Sequence, residues 1–364
     1  MQGRTPKNSF ENNIIRDPVC GMQLAPDAFA AVFEGRHYYF CSQGCKDVFE
    51  RNPEEPARNY VYDLVIIGGG PAGMTAAVYA SILRIHTFLI TKDIGGQAVD
   101  SSKIKNYMGF DFITGPELAQ KFEQQFLHRH YLEHIIDEVI SISPQNGAYE
   151  IATRSKDSYR AKAVIIATGM KRRKLGIPGE ERLLRRGVSH GSLQDASLFT
   201  GKNVVVVGGG NSGLQTAKNL LQSDCRVTLI EKANISADPS ELENLRHNMD
   251  FEVLDNHDLL EIRGDDKVEA VVVQSLEDMT KRTIPSSGVF IQVGLIPNTE
   301  FCMNVVETND KGEIKIKPDC STSAEGIFAC GDVTDIFGKR IIIASGEGAK
   351  AALSVKQYLY EKEK

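Results

Sequence analysis

A chain of 364 residues has room for two or three domains. Its 41% hydrophobic and 25% charged content is ordinary for a globular protein, and its net charge of -6 excludes nucleic acid as a main partner, because phosphate backbones need a basic face. No apolar run approaches the ~20 residues of a membrane span. The first residues (MQGRTPKN) lack the apolar stretch of a secretory leader, so the sequence predicts a cytoplasmic location, where clustered cysteines signal metal or redox chemistry.

Residues 1 to about 13 are polar and read as disordered. A compact segment follows, with Asp17-Pro18-Val19-Cys20-Gly21-Met22 and then Tyr38-Tyr39-Phe40-Cys41-Ser42-Gln43-Gly44-Cys45; it holds three of the seven cysteines. Ser42 suits the N-cap of a helix running through Phe49. Thiolates at Cys41 and Cys45 can converge on one ion, with Cys20 as a third ligand and His37 as a further candidate. A segment this small commonly needs a staple such as a metal. A small reduced core, or a reversible Cys41–Cys45 disulfide, is the alternative. Asn52 to Asn59, with two prolines and several charges, reads as a linker.

The apolar run Leu64–Ile67 predicts a strand buried on both faces. It leads into Gly68, Gly70 and Gly73, which fit G-x-G-x-x-G, and then an alanine-rich helix. The first glycine permits the turn, the second lets the backbone approach a pyrophosphate, and the third allows close helix–strand packing. Phosphates would sit on the helix N-terminus, over Pro71 and Ala72. The second strand of this unit is expected at Thr87–Thr91, where the usual ribose-binding acid is missing or displaced. A further buried strand ends in the small-residue turn Ala167-Thr168-Gly169.

The motif recurs at Gly208, Gly210 and Gly213, with Asn211 and Ser212 between them, after a run of valines. Two such units imply two dinucleotides, and the natural pair is a flavin and a nicotinamide. The strand Arg226–Ile230 ends at Glu231, 23 residues beyond Gly208. A carboxylate there accepts from ribose hydroxyls and repels a 2′-phosphate, and Lys232 is the one adjacent base, so NADH is favoured over NADPH. Near the C-terminus a short strand ends in Gly331-Asp332, where a carboxylate can meet a flavin's ribityl chain. Ile341 to Leu359 predicts a long helix interrupted by Gly346 and Gly348.

Residues 15–56 resemble the YHS family, close to TRASH-type modules, on DPVCGM, YYFCSQGC and the spacing between Cys20 and Cys41. That resemblance implies a soft metal, copper or zinc. From residue 60 onward the chain resembles the low-molecular-weight thioredoxin reductase family, including the flavoprotein part of alkyl hydroperoxide reductase systems. The motifs are GGGPAG, Gly95-Gly96-Gln97, Asn106-Tyr107-Met108-Gly109, ATG, GGGN, Gly294 with Pro297-Asn298-Thr299, CGDV and the segment from Lys339 to Lys350. The resemblance implies FAD in the first unit, NAD(P)H in the second, a discontinuous FAD domain and a homodimer. It places Lys339, Arg340 and Ile341 at the isoalloxazine, and Gly96, Gln97, Asn106 and Gly294 among the cofactor contacts; Val139 completes that set.

The expected architecture is therefore α/β: two Rossmann-like, thioredoxin reductase-like dinucleotide-binding domains plus a small N-terminal cysteine-rich YHS module. Its boundaries are 14–56 for the module, 60–170 and 291–364 for the two parts of the FAD domain, and 171–290 for the NAD(P) domain. One departure decides the function. The family's C-x-x-C follows Gly187-Val188-Ser189, but here Gly191 and Gln194 occupy the cysteine positions, and without thiols there is no mixed disulfide. Asp195 keeps the family's acid, and His190 is another possible proton donor. Three functions compete. The first is an FAD oxidoreductase passing electrons to a small molecule, metal ion or redox protein rather than to thioredoxin at the usual site. The second is a metal-binding, metal-reducing or metal-sensing flavoprotein acting through the YHS module. The third is a disulfide reductase using Cys41 and Cys45.

Overall fold

The computed structural model describes residues 17, 29–33, 36–51, 61–101, 103–126, 131–190, 193–362 and 364; the expectations for residues 1 to 13, for Cys20 and for the 52–59 linker lie outside them. The chain divides into two compact units, residues 1–170 with 297–364, and residues 171–296.

The first unit opens with an antiparallel hairpin, β1 (Phe29–Phe33) and β2 (Arg36–Phe40), and a helix, α1 (Gln43–Arg51). Ser42 caps α1 as expected: its Oγ accepts the amide of Cys45 at 3.1 Å. Phe33, Tyr38 and Phe40 gather around Phe49, and Phe40, Cys45 and Phe49 continue into the apolar cluster containing Tyr62, Val65 and Phe88. So small a module cannot bury a full core of its own. It completes its core on one face of the large sheet.

That sheet takes β3 (Val61–Ile67), β4 (Thr87–Thr91), β5 (Leu132–Ile136), β6 (Val139–Gln145), β7 (Ala148–Thr153) and β8 (Ser158–Ile166) in the order β5-β4-β3-β8-β7-β6. Pairing is parallel from β5 to β8 and antiparallel beyond. The central β3 and β8 are buried on both faces, which explains why Leu64–Ile67 and Ala163–Ile166 carry no alternation. Two helices belong to this part, α2 (Pro71–Ile82) after β3 and α3 (Gly115–Phe126) before β5.

The chain leaves for the second unit through β9 (Met170–Arg172). There β10 (Val188–Ser189), β11 (Asn203–Val207), β12 (Arg226–Ile230), β13 (Phe251–Leu254) and β17 (Gly288–Ile291) form a parallel sheet in the order β10-β17-β11-β12-β13. Helix α4 (Asn211–Leu221) links β11 to β12, and α5 (Pro239–Arg246) links β12 to β13. A separate antiparallel sheet holds β14 (His257–Arg263), β15 (Ala270–Ser275) and β16 (Lys281–Pro285). After β18 (Leu295–Pro297), β19 (Ile327–Ala329) adds to the large sheet beside β8, and α6 (Ile341–Lys362) ends the fold.

One expectation is corrected here. Gly346 and Gly348 do not interrupt α6, which is continuous over 22 residues. A Cβ at Gly348 would stand 2.1 Å from the carbonyl oxygen of Ala72. The glycine lets α6 lie against the first turn of α2, so the packing between helices, not helix propensity, selects it.

Candidate functional site

Both glycine turns have the same geometry. Gly68 and Gly208 each take φ +112°, and a Cβ at Gly73 or Gly213 would stand 1.8 Å from the carbonyl oxygen of Gly68 or Gly208. Gly70 and Gly210 are the N-caps of α2 and α4, and no side chain caps either helix. A Cβ at Gly70 would meet nothing within 4 Å. Each turn is thus an open cradle of backbone donors at a helix N-terminus, with Pro71 and Ala72 in one first turn and Asn211 and Ser212 in the other. That arrangement suits a pyrophosphate.

Several distant segments gather at the first cradle. The amide of Gly95 donates to the carbonyl of Gly69 at 2.8 Å, and a Cβ at Gly96 would stand 3.1 Å from Gly70 Cα. Gln97 donates through Nε2 to the carbonyl of Met170. A Cβ at Gly68 would stand 2.4 Å from the Ala167 carbonyl oxygen. The Ala167-Thr168-Gly169 turn is clamped by Asn298, whose Nδ2 donates to the Thr168 carbonyl while Thr168 Oγ1 donates to the Asn298 carbonyl, both at 2.8 Å. Thr91, at the end of β4 where an acid was sought, turns its hydroxyl to the Asp93 carbonyl at 2.6 Å. The carboxylate there is displaced to Asp93, two residues past β4, whose Oδ1 accepts the amide of Gly96 at 3.0 Å.

Gly331 lies against α2 as well, since its Cβ would stand 2.9 Å from that of Ala72. Burial pushes the neighbouring Asp332 carboxyl up from its ordinary value, against the pull of Lys339 and Arg340. Lys339 Nζ donates to the Asp332 carbonyl at 3.1 Å and to the Thr334 carbonyl, and pairs with Glu313 at 3.2 Å. Arg340 Nη1 donates to the Lys339 carbonyl at 2.7 Å, and Ile341 packs on the cluster of Ile104, Ile113 and Leu118. Of the remaining expected contacts, Asn106 is exposed on its loop and Val139 is buried at the start of β6. Ser345 Oγ, in the first turns of α6, is buried with no hydrogen-bond partner among the described residues.

In the second unit, Glu231 stands at the end of β12. Its Oε2 accepts the amide of Gly209, and its Oε1 accepts that of Ala233 at 2.9 Å. The carboxylate is thereby fixed beside the glycine turn. Lys232 is drawn to Asp258, 2.6 Å away. Gly294 takes φ +90°, and its carbonyl accepts the amide of Arg173 at 3.0 Å.

The segment that departs from the family has a polar pair that sequence reasoning missed. His190 Nε2 lies 2.8 Å from Oε1 of Glu180, a carboxylate that also accepts the amides of Leu175 and Gly176. Gly191 lies outside the described residues, as do the side chains of Gln194 and Asp195. Among the described residues outside the N-terminal module, the four cysteines are isolated and buried. Burial pushes the thiols of Cys302 and Cys320 up to about 12, raises Cys330 well above its ordinary value, and raises Cys225 as well. A thiol that stays protonated is a poor nucleophile.

In the N-terminal module, Cys41 and Cys45 have their sulfurs 3.7 Å apart. Asp17 joins them: the ligand atoms of Asp17, Cys41 and Cys45 all lie within 4.8 Å of one another, and Asp17 Oδ2 accepts the amide of Cys41 at 2.7 Å. The side chain of His37 lies outside the described residues, as does Cys20. Asp17 was visible in the DPVCGM motif, but its convergence on the thiols was not. The donor set of two thiols and a carboxylate fits zinc, which takes Cys and Asp/Glu ligands together.

Residues 62–354 match the pyridine nucleotide-disulphide oxidoreductase model, and residues 15–60 match the YHS domain. The chain belongs to the pyridine nucleotide-disulphide oxidoreductase family. Over 323 residues it is 38% identical to one component of the alkyl hydroperoxide reductase of Staphylococcus epidermidis, covering 86% of this chain and 61% of that protein. The chain thus spans about three fifths of the length of the curated relatives it matches. Thioredoxin reductase from Lactococcus lactis superposes with a TM-score of 0.69 at 33% identity, covering 82% of this chain and 99% of that one. The T. acidophilum thioredoxin reductase gives 0.67 at 35%, with the same coverage.

Family and fold make this chain an FAD-dependent oxidoreductase that uses a pyridine nucleotide. The residues present fit both groups: two open glycine cradles, a buried Ser345 hydroxyl without a hydrogen-bond partner among the described residues on the helix that packs against α2, and a fixed carboxylate beside the second cradle. Among the described residues, no helix is long and apolar enough to cross a membrane.

Proposed function

We propose that this chain is an NADH-preferring FAD oxidoreductase whose electrons leave to an acceptor other than a thioredoxin engaged at the usual cysteines. The observation that carries this reading is the combination of Gly191 and Gln194 at the family's thiol positions with four cysteines elsewhere held protonated by burial. When bound, FAD would supply hydride acceptance and onward electron transfer, which the protein's side chains cannot.

The chain's own residues bind, orient and move protons. The amides of Gly70, Ala72 and Gly73 would hold the pyrophosphate of FAD, Asp332 would serve its ribityl chain, and Lys339, Arg340 and Ile341 would lie at the ring. Gly208–Gly213 would hold the nicotinamide dinucleotide, with Glu231 serving its ribose hydroxyls. Lys232, engaged by Asp258, is not free to balance a 2′-phosphate, which favours NADH. His190, held through Nε2 by Glu180, exchanges a proton at Nδ1, with Asp195 as a second acid. Two copies form a homodimer in the cytoplasm, and the acceptor is a small molecule, a metal ion or a redox protein.

An anaerobic NADH titration of the purified FAD-loaded chain tests the reading. Uptake of about two electrons per flavin is expected, because a disulfide would take roughly two more. Uptake of about four would replace this reading with disulfide reduction through Cys41 and Cys45.

A further inference from the structure

One residue expected at the flavin ring has its charge already engaged by the protein. Lys339 Nζ donates to the carbonyl of Asp332 at 3.1 Å and to that of Thr334, and pairs with Oε1 of Glu313 at 3.2 Å. An ammonium has three N–H donors, so these three oxygens can use all of them. The two carbonyls belong to the tight turn Gly331–Val333 and to Thr334, which closes it. Lys339 thus meets Asp332 through the backbone oxygen, although it stands near enough to pull on the carboxyl as well.

Glu313 is itself fixed. Asn309 Nδ2 donates to its Oε2 at 2.8 Å, and the amide of Glu313 donates to Asn309 Oδ1 at 3.0 Å. The next residue, Ile314, gives its amide to the Val333 carbonyl and accepts that of Asp335, both at 3.0 Å. Glu313 is therefore anchored to the same turn that carries Asp332. Burial pushes its carboxyl up, but Asn309 and Lys339 outweigh that and hold it below its ordinary value. The side chains of the pair are 27% and 13% exposed, so water screens them less than a surface pair.

We propose that Glu313 is a positioning residue for the flavin site. It holds the Lys339 ammonium on the backbone of the turn and off the Asp332 carboxylate, which is left for the ribityl hydroxyls. The inference rests on the placement of FAD over the first glycine cradle. Without Glu313, the Asp332 carboxylate is within electrostatic reach of Lys339 and competes for it. The pair also balances the charge beside the ring. A cation there favours the negative charge that reduction brings, a carboxylate opposes it, and together they largely cancel.

The full chain, freed of FAD, is titrated with FAD for affinity, and the reloaded protein is reduced anaerobically beside a dye of known potential. Glu313→Gln is expected to bind FAD about tenfold more weakly and to raise the flavin's potential. Lys339→Gln is expected to weaken FAD as well, but to lower the potential. Opposite signs are the signature of charge, since a brace that only supported the fold would move both variants one way. The double substitution should bind FAD no worse than the weaker-binding single one, because the two residues act as a unit. An unchanged or lowered potential in Glu313→Gln overturns the inference by itself, so the result does not hang on the lysine variant. Asp332→Asn separates that failure from failure of the flavin placement. If it weakens FAD while Glu313→Gln does not, the placement stands and Glu313 has no part in the site. If it too leaves affinity and potential as in the parent, FAD does not sit at this turn and both readings fall.

Discussion

His190 Nε2 lies 2.8 Å from Glu180 Oε1, and the carboxylate of Glu180 is 1% exposed. Burial alone would raise that carboxyl. The imidazole and the amides of Leu175 and Gly176 outweigh it and hold the group below its ordinary value of 4.5. A depressed acid contributes stability that is present above its unfolded value and lost as pH falls through the lowered folded one. Glu180→Gln is therefore expected to lower the melting temperature at neutral pH and to converge on the parent in acid below 4.5. His190→Ala leaves the buried carboxylate short of a donor, at a cost of about 1–3 kcal/mol. Thermal melts across the acid range decide it; curves that stay parallel would mean the pair adds nothing.

On the proposed reading, Glu231 sets the choice of nicotinamide. Its carboxylate is held by the amides of Gly209 and Ala233, so it is oriented before any ligand arrives. A hydrogen bond to a charged group is worth roughly 1.5–3 kcal/mol, so Glu231→Ala should lower kcat/KM for NADH by about tenfold or more. NADPH should lose far less, because the same carboxylate repels its 2′-phosphate. Flavin reduction rates with both nucleotides check this, and equal losses would show that Glu231 does not discriminate.

The two cradles were legible in the sequence because every requirement is local. Gly68 and Gly208 must turn, and Gly73 and Gly213 must clear a carbonyl five residues back. The parts that were not legible are brought in by the fold. Glu133 reaches Cys45 across 88 residues, and Asn298 clamps Thr168 across 130. Glu133 carries no neighbouring pattern, and the Asn298 motif does not say that its partner is Thr168. Gly348 shows the reverse failure, because a helix-breaking residue is read against propensity until the close approach of Ala72 is known. Glu180 precedes His190 by only ten residues, yet a buried carboxylate in a charged stretch cannot be told from an exposed one.

Alanine at the third glycine separates the two nucleotide sites. A methyl at Gly73 or Gly213 meets a backbone oxygen at 1.8 Å, which no side-chain motion relieves. Gly73→Ala is expected to purify without FAD. Gly213→Ala should keep its yellow colour while NADH no longer reduces the flavin. Absorbance of the purified variants and stopped-flow reduction read these outcomes. Full FAD retention in Gly73→Ala would remove that turn from the flavin site.

Asp332 is predicted to trade stability for binding. Burial raises its carboxyl, with Lys339 and Arg340 only partly offsetting the effect. A group whose folded value is raised contributes stability that is fully present below its unfolded value and lost as pH rises through the folded one. Once pH exceeds its folded value, the ionised Asp332 therefore weighs on the FAD-free protein. Asp332→Asn should raise the melting temperature of the FAD-free chain at neutral pH, with the gain vanishing in acid where the parent carboxyl is protonated. The same variant should hold FAD less tightly, because the charged acceptor for the ribityl hydroxyls is gone. Melting curves of the FAD-free forms and equilibrium FAD titration give the two readouts. A variant that is more stable and binds FAD as well as the parent would show that the buried charge serves something other than the flavin.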